Sequence, residues 1–342
     1  MLLHEGHTMQ KVTTYLPWLT PVIKLMKGEN ATEQVKIILT TVGTPLLGLV
    51  VFLIIWSGAA SSIDTSLGKF PGPGEVKNQF VNLVDETKAE KVKEIAFYER
   101  QQKRNEAKLA KDPNAVVKIR PYTGNPTFFD QIVTSLVTVM SGFILASLIA
   151  IPVGIIIGLS PGLYAAFNPI IQLFKPVSPL AWLPLVTMVV SAVYVSKDPM
   201  FSKSYLTSMI TVLLCCLWPT MINTAVGVAS ISKDLINVSK VLRLNWLTNI
   251  YKIVIPSSLP MMFTGLRLSL GIAWMVLIAA EMLAQNPGLG KFVWDEFQNG
   301  SSNSLGRIMV AVLVIGVIGF LLDRGMLTLQ RVLSWDKTAD IR

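Results

Sequence analysis

The sequence predicts an all-α, polytopic membrane protein with six transmembrane helices. Two observations carry that prediction. Hydrophobic residues make up 51% of the 342-residue chain and charged residues only 15%, with a mean hydropathy of +0.53, whereas a soluble domain carries about 25% charged residues. The apolar residues also lie in long uncharged blocks, with no charge at all between Asp130 and Lys175. A helix needs about 20 apolar residues to cross about 30 Å of hydrocarbon, and these blocks are long enough. A secreted disulfide scaffold and a cytosolic enzyme are excluded.

The elements follow in chain order. Residues 1–36 form a cytoplasmic segment without a secretory signal, in which Tyr15, Leu16, Trp18, Leu19, Val22 and Ile23 make the apolar stripe of an interfacial helix. His4 and His7 flank Glu5 and read as a disordered tip rather than a metal site. The first span runs over about Ile37–Ser57, within 37–60. Residues 61–130 form an extracytoplasmic charged insertion with a Pro/Gly-rich start, Phe70-Pro71-Gly72-Pro73-Gly74. Val76, Phe80, Leu83 and Val84 then predict an amphipathic piece. A separate charged helical arm follows over Asp85–Lys111, with a Glu99–Lys103 pair, stopped by Asp112-Pro113. The arm is either a solvated spacer or a contact for an external partner.

The membrane core spans 131–326, with a cytoplasmic tail at 327–342. Its second span is about Gln131–Gly158, broken by Leu159-Ser160-Pro161-Gly162. A short apolar piece, Leu163–Phe174, meets Lys175-Pro176-Val177-Ser178-Pro179 and is joined by a kink to the third span, Leu180–Val195. The fourth, fifth and sixth spans are about Tyr205–Val226, Leu259–Leu283 and Leu305–Leu322. Gly154 and Gly158 make a small-residue step suited to close helix contact. Trp182, Trp218 and Trp294 fall near span ends, as an interfacial belt would. Cys215 and Cys216 are adjacent inside a span and make no disulfide framework.

The formal charge is +9, concentrated in basic clusters beside the spans. That pattern speaks for topology rather than nucleic-acid binding. Lys11, Lys24, Lys27 and Lys36, then Lys233, Lys240, Arg243 and Lys252, then Arg324, Arg331, Lys337 and Arg342 lie on one side. Lys197, Lys203, Lys291 and Arg307 lie on the other. Both termini and the 230–257 loop are therefore expected in the cytoplasm.

That loop carries a short amphipathic helix. Ser232 and Asp234 suit its start; Leu235, Val238, Val241, Leu242 and Asn245 share a face; Pro256 bounds the segment. It is either a docking element for a cytoplasmic partner or a surface helix on the membrane. In span five, Arg267, Gly271, Trp274, Ile278 and Glu281 share one stripe, since residues seven apart drift only about 20°. The stripe either lines a translocation pathway or makes interhelical pairs and anchors. A carboxylate at Glu281 would repel an anion, so with an anionic cargo it is paired, protonated or part of a gate. Arg267 is then the residue that attracts an anion.

Asn237-Val238-Ser239, then Arg243, then Ile253-Val254-Ile255-Pro256 fall at the spacing of the EAA motif of permease subunits of ABC importers, although its Glu, both Ala and the Gly are replaced. The segments 175–185, 217–227, 237–244, Thr264-Gly265-Leu266-Arg267, Ala279-Ala280-Glu281-Met282-Leu283 and 288–295 resemble the nitrate/sulfonate/bicarbonate (taurine) branch, most of all the nitrate permeases. The resemblance covers about 125–335 and fails over 61–125.

It implies a type I ABC importer permease (MetI-like) fold in a bacterial plasma membrane, as a homodimer. Two cytoplasmic ATPase subunits would dock on a rigid lever running from Asp234 to Trp246, through Asp234, Asn237, Val238, Ser239, Lys240, Leu242, Arg243, Trp246 and Pro256. An extracytoplasmic substrate-binding protein would deliver a small anion: nitrate first, with bicarbonate, cyanate or alkanesulfonate/taurine as alternatives. The chain would be no enzyme and hold no cofactor or metal, with ATP–Mg bound by its partners, and it has no Gly-x-x-x-x-Gly-Lys-Ser/Thr loop. The rivals are a secondary carrier or channel, against which no internal repeat is visible, and a membrane enzyme, for which no nucleophile–base set appears.

Overall fold

A computed structural model describes residues 24–25, 30–65, 68–112, 116–117, 119–195 and 200–333. The expected interfacial helix at 15–23, the His4–Glu5–His7 tip, Lys197 and the end of the tail lie outside the described residues. The chain divides into two bodies, one up to Val76 and one from Lys77 onward.

In the first body, α1 (Ala31–Ile38) passes through a π-turn at Leu39–Gly43 into α2 (Thr44–Ser62). Leu46, Leu47, Ile54 and Ile55 are all exposed, as suits a helix facing lipid. The span is longer than the sequence suggested, running over Thr32–Ser62. A two-residue ladder follows, β1 (Asp64–Thr65) antiparallel to β2 (Gly68–Lys69), and the Trp56 indole N–H donates to Pro71 O at 3.2 Å.

The second body opens in α3 (Pro73–Leu109). The expected amphipathic piece and charged arm are therefore one unbroken helix. No breaker stands between Val84 and Asp85, and Pro73 occupies the first helical position, where its missing N–H costs nothing. Asp85–Lys88 and Glu90–Lys93 pair along it. Leu83 is fully buried, so the helix packs rather than floats. The return segment folds back along it: the Tyr122 hydroxyl donates to Glu90 Oε1 at 2.7 Å, and the Gln101 side chain bonds both backbone groups of Arg120. The Tyr122 bond holds the Glu90 carboxyl below its ordinary value and pushes the tyrosine up. That contact supports the fold above the unfolded carboxylate range and is lost as pH falls through the folded-state pKa.

The remaining helices are α4 (Phe128–Leu159), α5 (Pro161–Phe174), α6 (Pro179–Val193), α7 (Lys203–Ala229), α8 (Lys233–Val241), α9 (Trp246–Asn249), α10 (Ile255–Ala284), α11 (Leu289–Asn299) and α12 (Ser304–Leu333). A capping box fixes the start of α4: Thr127 Oγ1 accepts from Asp130 N, and Asp130 Oδ2 accepts from Thr127 N. Among the described residues, five helices are long and apolar enough to cross a membrane. The α5–α6 pair, bent by 96°, brings the number to six if it is one broken span.

Helix α7 is the centre of this body, packed against α4 and α10. Its contact with α4 is made by small residues. Gly142, Ala146, Ala150, Gly154 and Gly158 recur every fourth residue, and a Cβ on any of the three glycines would meet α7 backbone, at Met209 O, Met221 O or Ala225 O. The two-glycine step read from the sequence is the end of a five-rung ladder. The α7–α10 contact is pinned by hydroxyls: Thr220 Oγ1 donates to Ser269 Oγ at 2.7 Å, which donates to Cys216 O at 2.6 Å. Cys215 and Cys216 are buried and free. Trp182 and Trp218 pack on the Phe174 ring, Trp218 stacked at 5.5 Å, with their indole nitrogens buried. They form an aromatic cluster at the α5–α6 bend, which folds Phe174 back onto them.

Candidate functional site

The segment between α7 and α10 follows from its caps. Ser232 Oγ accepts from Leu235 N to start α8. The helix then stops at Val241, shorter than the expected lever. Arg243 adopts φ +44°, in the left-handed region, with Arg243 N–H bonded to Lys240 O and Leu244 N–H to Ser239 O. That is a Schellman termination, and it usually takes glycine at the position Arg243 occupies. The residue at the motif's glycine position thus takes a backbone shape that glycine favours. Leu235, Val238, Leu242 and Trp246 are exposed, and Val241 is 81% exposed, while Ser239 is turned inward.

The strained arginine has a testable consequence. Arg243→Gly relieves a left-handed conformation that costs a side-chain-bearing residue about 1–2 kcal/mol. The variant should be cleaved more slowly than wild type by protease within 232–246. Arg243→Val, β-branched, should be cleaved faster.

Beyond the cap, α9 runs through a π-turn at Ile250–Val254 into α10, giving one continuous helical path over Trp246–Ala284. Pro256 does not bound the segment as expected. It sits in the first turn of α10, where it needs no partner for a missing N–H, and the π-turn before it gives its ring room. The exposed segment is therefore helically continuous with span five.

The span-five stripe divides into two environments. Arg267 forms a two-pronged pair with Asp323 of α12, Nε–Oδ1 2.5 Å and Nη2–Oδ2 3.0 Å, the side chains 34% and 35% exposed. Trp274 is buried and donates its indole N–H to Ile315 O at 3.0 Å. Arg267, Gly271, Trp274, Gly319 and Asp323 line a cavity of about 190 Å³. Three of the five stripe residues thus meet at one space, beside an acidic partner 56 residues downstream that sequence reading did not pair with Arg267.

Glu281 lies elsewhere, fully buried at the far end of α10. Its carboxylate accepts from Ser135 Oγ at 3.0 and 2.8 Å, from Gly290 N–H at 3.0 Å and from Asn286 Nδ2 at 3.5 Å. Ser135 in turn accepts the Leu289 N–H at 2.8 Å. A Cβ at Gly288 would collide with this carboxylate, and one at Gly290 with Ile278 O. The Gly288-x-Gly290 pair is what admits the turn. Ile278 contributes that carbonyl and is only partly buried. The partners Ser135, Asn286 and Gly290 were missed in the sequence, where the Gly-Leu-Gly run beside Asn286-Pro287 was their one visible signal.

Known proteins match this architecture. The model of the "Binding-protein-dependent transport system inner membrane component" family matches residues 150–334. The chain is 34% identical over 288 residues to the bicarbonate transport system permease protein CmpB of Synechococcus elongatus, covering 84% of this chain and 87% of that one. The nitrate import permease protein NrtB of the same organism is 36% identical over 224 residues, covering 63% of this chain and 76% of its own. Inward-facing structures of the MetNI methionine ABC transporter share the fold, with TM-score 0.50 at 12% identity over 60% of this chain and 95% of theirs. The family works with an ATPase and a substrate-binding protein, and its members are not themselves enzymes. With broken and continuous apolar helices around a central α7, the chain belongs to the family of inner membrane components of binding-protein-dependent transport systems, as a permease subunit of an ABC importer.

Proposed function

We propose that the chain imports a small inorganic anion, nitrate first, as a homodimeric permease with two ATPase subunits on its cytoplasmic face. The observation that carries this reading is the likeness to nitrate and bicarbonate permeases at 36% and 34% identity. The bicarbonate permease matches more of the chain, and bicarbonate is the second reading. Both termini and the α8 segment lie in the cytoplasm of a bacterial cell whose plasma membrane holds the protein. ATP–Mg belongs to the ATPase subunits. Those subunits seat on Asp234, Asn237, Val238, Lys240, Leu242, Arg243, Trp246 and Pro256, with the exposed apolar face of α8 in a groove and Arg243 on an acidic rim; Ser239, turned inward, lies beneath that face.

The cavity beside Arg267, Gly271 and Trp274 belongs to the path, with Ile278 farther along it, while Glu281, fully buried, stands behind the wall rather than on it. Asp323 tempers the arginine, so an anion is attracted without being trapped. The buried hydrogen bonds around Glu281 keep its carboxylate from facing the cargo. The test is reconstitution of the permease with its ATPase and binding protein in liposomes, reading uptake of labelled nitrate and labelled bicarbonate. ATP-dependent nitrate uptake is expected; preference for bicarbonate selects the second reading, and uptake without the ATPase overturns both. Arg267→Ala should lower uptake about tenfold, with the ATPase still co-purifying; equal loss of both assigns Arg267 a purely structural part. Arg243→Glu should weaken ATPase co-purification, and intact assembly and transport would remove the rim contact.

A further inference from the structure

A second cavity, of about 390 Å³, lies between α3, the start of α4, α11 and Arg307 of α12. It sits at the end of the bundle opposite α8, since α8 leads into the start of α10 and α11 follows its end. We propose that this cavity receives a basic side chain, Lys or Arg, of the substrate-binding protein. The inference rests on the chain's being a binding-protein-dependent permease and names a contact for that partner.

The wall carries four carboxylates, Glu86, Glu90, Asp295 and Glu296, against two cations, Lys93 and Arg307. Arg307 is clamped by both Glu86 oxygens at 2.8 and 2.9 Å, with its Nε 2.7 Å from Glu296 but not hydrogen-bonded to it. Lys93 pairs with Glu90, and Asp295 with Lys291 of α11. With Lys291 counted, carboxylates outnumber cations four to three, a net negative charge that disfavours an anionic cargo and attracts a cation. An independent feature points the same way. Gln131, 8% exposed, lines the cavity, and its side-chain oxygen has no partner. A carbonyl oxygen only accepts, so its complement is an N–H donor, and leaving it unmet costs stability.

The apolar part of the wall suits the same guest. Phe128 and Phe292 meet edge to face at 4.9 Å, and Phe292 already carries the Arg307 guanidinium 5.9 Å from its ring centre. Rings so placed favour a cation. A side chain presented by a docked protein enters with its rotational and translational freedom already lost, whereas a free cation must give up its own.

The experiment uses the complete transporter in nanodiscs and its binding protein, measuring their affinity at low and moderate salt. Gln131→Lys, which supplies the ammonium from within, should weaken docking about tenfold and flatten its salt dependence. Gln131→Glu should strengthen it. Opposite shifts from one position cannot come from misfolding. Should Gln131→Lys fail to fold, the double neutralisation Glu90→Gln with Asp295→Asn is expected to weaken docking in the same direction. Affinity unchanged in Gln131→Glu and in the double variant overturns the proposal. So does free arginine raising the thermal midpoint of the permease while the variants dock normally, which would make the cavity a small-cation site. Docking by wild type without anion import removes the proposed cargo and leaves this contact standing.

Discussion

Replacing Gly158 by leucine is expected to abolish recovery of folded permease, and Gly154→Leu to do nearly the same. Each glycine faces α7 so closely that even a Cβ would meet the Ala225 or Met221 carbonyl, and at Gly158 the Val228 side chain as well. Backbone on both sides cannot step aside as a flexible side chain can, so α4 and α7 must separate. Overpacking of this kind costs about 1–3 kcal/mol where side chains yield, and parting the two helices adds the packing of every rung below. Total stabilities of about 5–15 kcal/mol leave little room for that. Gly325, where an added methyl would meet nothing within 4 Å, is the internal control: Gly325→Ala should be neutral or slightly stabilising, since alanine is the better helix former by about 1 kcal/mol. The readout is the monodisperse fraction on size exclusion after detergent extraction. Normal recovery of Gly158→Leu would show that the ladder is not a close contact.

Glu281→Ala should be the other severe change. It strands the Ser135 hydroxyl, the Gly290 N–H and part of Asn286 in a fully buried place. Each buried donor left unmet costs about 1–3 kcal/mol. Glu281→Gln should lose less, because one oxygen still accepts, although its new amide group faces donors. Ser135→Ala removes the hydroxyl that serves both carboxylate oxygens and receives Leu289 N–H, so it should fall between the two. The measurement is the thermal midpoint of the purified protein, together with protease access to the turn at 285–289. An unchanged midpoint for Glu281→Ala would mean that the network does not hold α11 in place.

Most of the fold was legible because span formation depends on local composition. The uncharged run after Asp130 and the Pro/Gly break at 159–162 each survive as helix and break. The α8 helix was legible for the same reason, since its cap and apolar face lie within a dozen residues. What stayed hidden was pairing across distance: Arg267 with Asp323, Glu281 with Ser135, Gln79 of α3 with Asn303. A periodic stripe says which residues share a face, and nothing about which helix meets that face. The end of α8 was missed for a subtler reason. Arginine is an unusual occupant of a left-handed cap, and propensity reads residues where the backbone reads hydrogen bonds.

Helix α10 spans Ile255–Ala284, about 45 Å at 1.5 Å per residue, and Ser269, which ties it to α7, falls at its midpoint. The serine is not a lone fastening: Ser258 and Met261 lie against Gly227, Gly265 lies against Pro219 and Thr220, and Glu281 near the far end is bonded to Ser135 of α4. The two helices are laminated rather than hinged, so bending either one obliges its neighbour to yield with it.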